Sequence, residues 1–221
     1  MNSIMPNPEL TSTAVEILIF GVLIYSVILH EIAHGFVADK LGDPTARLAK
    51  RLTLNPLPHI DLIYTILLPL FLYLSNAGII FGAAKPVPVD PFNFKEPKKD
   101  SALVALAGPA TNLTIAVFLS LLLRASDLFI MSNALKQAVD LLATQGIFLN
   151  VMLAVFNLIP IPPLDGSKVL AGVLSDELAS EIYKLERFGF LIIFAILIFF
   201  PSLIFGLMRP IIFQITSLLL R

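Results

Sequence analysis

The sequence has 221 residues, of which 57% are hydrophobic and only 14% are charged, and its mean hydropathy is +0.89. This composition excludes an ordinary water-soluble enzyme and a disordered protein, and a net charge of −1 excludes a basic nucleic-acid-binding protein. Because the chain has no cysteine and three histidines, disulfides are excluded and any metal must be held by nitrogen and oxygen ligands.

Five apolar stretches approach the length of about 20 residues that a membrane-crossing helix needs. They are residues 15–36, 60–81, 102–123, 141–158 and 188–207. An apolar tail over 211–220 is expected at the membrane interface. Residues 1–14 contain one acidic residue and no Lys or Arg, unlike a secretory signal, so we expect the first stretch to be retained. The sequence predicts an all-α polytopic membrane protein that forms one domain over residues 1–221.

The loops between these stretches differ in character. Residues 46–54 (ARLAKRLTL) alternate roughly between apolar and polar side chains and are followed by Asn55-Pro56, which predicts a short β-strand. Prolines at positions 86, 88, 91 and 97 argue against a helix over residues 85–99. Residues 166–187 have helical spacing and many charges, which predicts a solvated helix.

Ionisable residues cluster inside the first apolar stretch, in the order His30-Glu31-Ile32-Ala33-His34. On a helix, residues four apart lie on one face, so both imidazoles can reach one metal ion. In this HExxH arrangement the glutamate beside the first ligand acts on a metal-bound water. HExxH also occurs by chance in soluble helices, but charged groups in a membrane span are costly and usually functional. The pattern therefore indicates a catalytic zinc site.

A catalytic zinc site usually has three protein ligands. Two residues are candidates for the third position: His59, at the head of the second apolar stretch, and Asp165, which follows three nearby prolines. His59 also suits a loop at the water interface, and Asp165 also suits a turn-capping role before Gly166. These residues alone leave both alternatives open.

Three motifs together resemble the site-2 protease family of intramembrane zinc metalloproteases. They are the early HExxH, residues 107–112 (AGPATN), and the late Asn157…Pro160…Asp165-Gly166. Residues 51–56 (RLTLNP) and 81–87 (FGAAKPV) resemble the compact prokaryotic branch of that family, which has no PDZ domain. The resemblance covers about residues 15–175, which we take as the core, with C-terminal helices over 188–221.

The resemblance implies a zinc metalloendopeptidase with Zn²⁺ as its cofactor. His30, His34 and Asp165 are implied as zinc ligands and Glu31 as the catalytic base. Asn112 and Asn157 are implied in the active-site and substrate-binding region, although both also suit hydrogen bonding between helices. The expected substrates are membrane-anchored proteins cut within a transmembrane helix (regulated intramembrane proteolysis), and the expected location is the plasma membrane of a prokaryotic cell.

The position of Asp165 constrains how the chain crosses the membrane. If residues 60–81, 102–123 and 141–158 all crossed fully, Asp165 and His34 would lie on opposite sides. We therefore predict four full transmembrane helices and a re-entrant or partly spanning second stretch, with the short β-strand near the active site. This topology puts eleven Lys and Arg residues in cytoplasmic loops and four outside, whereas five full crossings give eight and seven. The active site is expected towards the cytoplasm.

One alternative function uses the same three ligands. A membrane zinc-binding or zinc-transport protein would hold zinc with His30, His34 and Asp165 as well, but it would give no task to Glu31. Replacing that glutamate distinguishes the two functions.

Overall fold

Long apolar helices make up most of the chain, and the computed structural model describes residues 8–75, 82–126, 128–129 and 132–221. Within these ranges the α-helices are, in chain order, α1 (Pro8–Leu41), α2 (Thr45–Leu48), α3 (Leu68–Leu74), α4 (Pro97–Ser126), α5 (Asn133–Asn157), α6 (Asp165–Val173), α7 (Asp176–Glu186), α8 (Gly189–Phe199) and α9 (Pro201–Leu219). Two 3₁₀ turns (Leu57–His59 and Pro91–Asn93) and a π-helical segment (Leu62–Leu67) complete the regular structure of these ranges.

Four helices in the described ranges are long and apolar enough to cross a membrane: Val15–Leu41, Pro97–Ser126, Leu135–Asn157 and Pro201–Leu219. At a rise of 1.5 Å per residue, even the shortest, with 19 residues, spans about 28 Å and matches the hydrocarbon core. The prediction of four helices long and apolar enough to span a membrane is confirmed. Three of the four correspond to the predicted stretches 15–36, 102–123 and 141–158.

The fourth span differs from the prediction. The apolar stretch 188–207 is divided between α8 and α9, because Pro201 has no N–H to continue α8 and starts a new helix instead. Phe200 lies between the two helices with φ −132° and ψ 43°. The 11 residues of α8 extend only about 17 Å. The candidate spanning helix is α9, and residues 211–219 of the apolar tail continue this helix instead of forming a separate segment.

The short β-strand predicted over residues 46–54 is not confirmed, and no strand occurs in the ranges that the structure describes. Thr45–Leu48 forms one turn of helix, and Lys50 follows with a left-handed φ of 54°. The apolar and polar alternation has another cause: Ala46 and Leu52 both pack against Gly35 of α1. No adjacent strand is present there to supply the hydrogen-bond partners that a β-strand needs.

The two ends of the second apolar stretch lie side by side and are hydrogen-bonded to each other. Lys85 N–H donates to the carbonyl of His59 (2.9 Å), and Ala83 N–H donates to the carbonyl of Tyr64 (3.0 Å). The Thr65 hydroxyl also donates to the carbonyl of Ala83 (2.7 Å). Residues 76–81, the last part of the predicted stretch 60–81, lie outside the described residues. The chain on either side of them is therefore joined backbone to backbone.

Helix α4 is central to the packing and contacts α1, α5 and α6. It runs beside α1, whose C-terminal half carries the HExxH motif, and α6 begins with Asp165. Helix α9 packs against α5 and α8. This arrangement brings the two distant parts of the predicted site to one end of the helix assembly.

A buried carboxylate joins the end of α1 to the proline-rich segment. Asp43 is fully buried and accepts hydrogen bonds from the Asp90 N–H (2.7 Å), the Asn93 side-chain amide (2.8 Å), and both the N–H (3.1 Å) and the hydroxyl of Thr45. Burial by itself would raise the pKa of Asp43, but these hydrogen bonds outweigh it and hold that pKa below its usual range. Asp43 therefore stabilises the fold as an anion.

Replacing Asp43 with asparagine should lower the free energy of unfolding by about 2 kcal/mol at neutral pH, because the new amide NH₂ faces another donor. The folded-state pKa lies below the unfolded value of about 4, so this stabilisation is present above pH 4 and is lost as the pH falls through the folded pKa. The difference in Tm between wild type and variant should therefore be largest at neutral pH and shrink below about pH 4.

The matched control is Asp176→Asn, which removes an exposed ion pair with Lys98. Exposed pairs contribute little to stability, so thermal unfolding in detergent should show almost no change for this variant. Equal shifts in Tm for the two variants would contradict a special role for Asp43.

Candidate metal centre

His30, His34 and Asp165 lie together in the interior. Oδ2 of Asp165 is 3.1 Å from Nε2 of His30 and 3.4 Å from Nε2 of His34, and the three side chains are at most 15% exposed. Their candidate donor atoms all lie within 4.8 Å of one another. The structure thus brings the HExxH motif and the distant aspartate to one point.

Local sequence explains how each side chain reaches this point. The two histidines are one turn apart on α1, so they share a face. Asp165 is the first residue of α6 and comes after the irregular segment 158–164. Gly166 allows this approach, because a Cβ there would lie 2.2 Å from the carbonyl oxygen of Leu158. The glycine of the Asp-Gly pair is therefore required for close packing at the start of α6.

Hydrogen bonds on the far side of each imidazole orient both rings. Nδ1 of His30 lies 2.6 Å from Oδ1 of Asn112, and Nδ1 of His34 lies 2.7 Å from the carbonyl oxygen of Val104. Since both oxygens can only accept, each Nδ1 carries the hydrogen and each Nε2 keeps its lone pair. Both lone pairs are thus available on the side where Asp165 lies.

Asn112 is fully buried behind His30. Its amide nitrogen donates to Oδ1 of Asn150 (3.0 Å) and to the carbonyl of Ser26 (3.3 Å), and the Asn150 amide nitrogen donates to the Ser26 hydroxyl (2.9 Å). These bonds fix the Asn112 side chain, whose oxygen in turn orients the His30 ring. Sequence reasoning missed Asn150 and Ser26; the available signal was an amide and a hydroxyl inside apolar helices.

Asn157, the second predicted substrate-binding residue, does not join this network. Its amide nitrogen donates to the carbonyl of Leu153 one turn earlier in α5 (3.0 Å). A role for Asn157 in substrate binding stays a prediction.

Glu31 is held by the proline-rich segment. Its Oε2 accepts a hydrogen bond from the N–H of Val87 (2.8 Å). Pro86 and Pro88 have no N–H, so Val87 offers the one backbone donor of this short extended piece. Sequence reasoning did not find this contact, because the two residues are 56 positions apart. Because this hydrogen bond engages only Oε2, the second carboxylate oxygen of Glu31 is available to accept a proton.

His59, the alternative third ligand, lies elsewhere. It is buried, and its Nε2 lies 3.0 Å from the carbonyl oxygen of Thr53, to which it donates. His59 is not a member of the His30, His34 and Asp165 group. Its hydrogen bond to Thr53 stabilises the loop before the second apolar stretch.

The residues of this group fit a zinc ion. Oδ2 of Asp165 is buried and has no hydrogen-bond donor, and it faces the two imidazole lone pairs. Two histidines and a carboxylate form a typical catalytic zinc site. A Cβ on Gly108 would lie 2.5 Å from Nε2 of both histidines, so the absence of a side chain there leaves space at the site.

Replacing Gly108 with alanine should therefore reduce zinc binding and activity by at least about tenfold each, while the helices remain folded. The added methyl group would enter the space between the imidazoles and force one of them to move. Zinc content per chain and circular dichroism measure the two effects. Gly21→Ala is the matched control on α1, because a Cβ there meets nothing within 4 Å. Equal zinc contents in both variants would contradict this geometry.

One known peptidase family matches most of this chain. The model of peptidase family M50 matches residues 18–200. The chain belongs to this family. The match includes all three residues of the metal group and Glu31. The family resemblance found from the sequence motifs, that of the site-2 proteases, is thereby confirmed.

Several curated M50 relatives cover most of the chain. Putative zinc metalloprotease YwhC of Bacillus subtilis is 38% identical over 81% of this chain and 78% of its own length. Putative zinc metalloprotease Rip2 of Mycolicibacterium smegmatis is 34% identical over 86% of this chain and 70% of its own length. Zinc metalloprotease MJ0392 of Methanocaldococcus jannaschii is 29% identical over 71% of this chain and 34% of its own length. No solved structure gives a significant match.

Proposed function

We propose that this zinc metalloprotease hydrolyses peptide bonds within the membrane-spanning segments of membrane-anchored proteins. One observation carries the proposal: the His30, His34 and Asp165 group is built from an apolar spanning helix and a helix packed on α4. A metal bound there would lie among apolar helices, which favours a membrane-embedded substrate over a soluble one.

The reaction assigns a task to each side chain. His30, His34 and Asp165 would hold zinc, which would lower the pKa of a water molecule and polarise the scissile carbonyl. Glu31 accepts the proton of the attacking water on its free oxygen and delivers it to the leaving nitrogen. Val87 N–H holds the other oxygen of Glu31, so the carboxylate keeps its direction through the cycle. Asn112 positions His30 in the same way.

The packing of the long helices supports the proposed topology. The first half of α4 lies at the metal group, where the Val104 carbonyl accepts from His34, and its second half lies beside the end of α9, where the Ser120 hydroxyl donates to the carbonyl of Leu219 (2.5 Å). The joined ends of the second apolar stretch support a re-entrant segment that opens on the side of the metal group.

The distribution of Lys and Arg indicates which of these two sides is cytoplasmic. Eleven Lys and Arg residues lie at or beyond the helix ends on the metal side, whereas three lie on the other side, at positions 124, 136 and 221. Arg209, earlier counted as an outer residue, lies within α9 instead. Lys and Arg favour the cytoplasmic side, so the active site faces the cytoplasm of a prokaryotic cell.

Labelling of single cysteines tests this topology, and the native chain has none to interfere. A cysteine at Lys50 and one at Lys95 should both react only with a membrane-permeant reagent in intact cells, while one at Arg221 should also react with an impermeant reagent. Labelling of Lys50 and Lys95 positions from opposite sides would exclude a re-entrant second stretch.

Cleavage by the purified protein tests the proteolytic function. The wild type should cut some members of a panel of single-span proteins within their apolar helices, and a chelator should abolish the cuts. The control panel carries the same flanking sequences on soluble domains. Cuts confined to the soluble panel, or no cut that depends on metal, would contradict intramembrane proteolysis.

The zinc-transport alternative is not favoured. The chain belongs to a peptidase family, and transport assigns no function to a glutamate held by a backbone N–H beside the metal ligands.

A further inference from the structure

Helix α9 carries a charged residue near the middle of its membrane span. Arg209 is eight residues from Pro201 and ten from Leu219, which places it about 12 Å and 15 Å from the two ends of the helix. An arginine near the centre of a bilayer is costly unless it is paired or hydrated. Arg209 therefore requires a partner or water at this depth.

The described part of the chain supplies no such partner. Arg209 is exposed, and it makes no hydrogen bond or ion pair with any described residue. The buried face of α9 carries Ile204 and Met208 instead, which pack into the core. The guanidinium group thus points out of the protein along with the surrounding apolar side chains.

Arg209 lies in a row of exposed residues that suits contact with another helix. Ser202, Gly206, Arg209 and Phe213 are spaced by four, three and four residues, which places them on one face; we name these four residues the α9 stripe. A Cβ on Gly206 would meet nothing within 4 Å, and Phe213 is 74% exposed. Small residues four apart allow close approach of two membrane helices.

We propose that the α9 stripe binds a membrane-spanning helix of a separate partner subunit, and that this helix carries an aspartate or glutamate at the depth of Arg209. Charge complementarity selects this occupant, because a carboxylate satisfies the guanidinium group without water. A second copy of this chain does not fit. Two copies in one membrane are parallel, so a symmetric contact through the stripe would place Arg209 against the second copy's Arg209 at the same depth.

The position of the stripe distinguishes a subunit from a substrate. Ile204 and Met208, on a different face of α9, pack with Leu164, which directly precedes Asp165. The stripe is therefore separated from the metal group by α9 itself. A helix docked there is placed to steady the segment that carries Asp165 and is not placed to be cut.

The test uses the full chain in phosphatidylcholine vesicles and synthetic single-span leucine–alanine helices as probes. One probe carries a central glutamate, a second carries glutamine and a third carries lysine at the same position. Energy transfer between a fluorophore on a cysteine introduced at Lys50 and one on the probe measures association. Because binding is measured in the Glu31→Gln background as well, its outcome is separate from whether the protein cleaves peptides.

The glutamate probe should bind about tenfold more tightly than the glutamine probe. Arg209→Leu should abolish this difference, and Arg209→Lys should retain most of it. Arg209→Glu should reverse the preference, so that the lysine probe binds best. The matched control Gln214→Leu, an exposed change elsewhere on α9, should leave the preference unchanged.

Three results would overturn the proposal. Equal binding of the glutamate and glutamine probes would show that Arg209 is satisfied by lipid or water. Energy transfer between two labelled copies that Arg209→Leu removes would identify a second copy as the occupant. Cleavage of the glutamate probe by the wild type that Arg209→Leu abolishes would identify the helix bound at the stripe as a substrate.

Discussion

Replacing Asp165 with asparagine should remove zinc from the purified protein and abolish peptide cleavage. The variant keeps the size of the side chain, but it loses the anionic oxygen that faces the two Nε2 atoms. Two neutral imidazoles then remain, whereas catalytic zinc sites usually have three protein ligands. We expect zinc affinity to fall by at least about a hundredfold, more than the loss typical of residues that only support a ligand.

Metal analysis after dialysis against a chelator of known affinity measures this effect. Asp176→Asn is the matched control, since Asp176 is an exposed aspartate at the start of the next helix, α7. Its zinc content and cleavage should equal those of the wild type. An Asp165→Asn variant that retains a full zinc ion per chain would show that Asp165 is not a ligand.

The metal group could be predicted from the sequence because its most informative part is local. His30 and His34 are four residues apart in an apolar stretch, and helical geometry alone places them on one face. Asp165 was one of two alternatives from the residues themselves, and the family resemblance favoured it over His59. In the structure Asp165 lies beside the two imidazoles, whereas His59 is bonded to the loop at Thr53.

The contacts that orient the site could not be predicted, because they join distant parts of the chain. The Val87 N–H that holds Glu31 is 56 residues away, and Asn150 and Ser26 are 124 residues apart. Such contacts depend on helix packing, which no single-segment pattern contains. The hydrogen bond from His30 to Asn112 is another example. The family motif predicts Asn112 near the site, but its role in orienting His30 is visible only from helix packing.

The fold errors have local physical causes. Uniform hydrophobicity over residues 188–207 concealed the helix boundary, although Pro201 was the signal for it. The alternation over 46–54 reflects contacts of Ala46 and Leu52 with Gly35 instead of strand pairing. In a chain with 57% hydrophobic residues, polarity patterns carry less information about secondary structure than proline positions do.

Replacing Glu31 with glutamine should lower kcat by about 100- to 10,000-fold and leave zinc in place, because the side chain handles a proton and is not a ligand. The glutamine keeps the length of the side chain, and its oxygen can still accept the hydrogen bond from Val87 N–H. Its NH₂ group then occupies the position of the second carboxylate oxygen and cannot accept a proton. The variant is thus a folded, metal-loaded protein without a base.

Zinc content and single-turnover cleavage, measured on the same preparation, separate this result from the alternatives. Glu181→Gln, an exposed change on α7, is the control and should leave both quantities unchanged. Loss of zinc together with activity would make Glu31 a ligand or a structural residue. Full cleavage by Glu31→Gln would contradict the proposed mechanism, and metal uptake into vesicles that survives the substitution would favour transport. Only a protease is expected to keep zinc and lose cleavage in this variant. Hydrolysis, unlike transport, needs a carboxylate that exchanges a proton beside the metal.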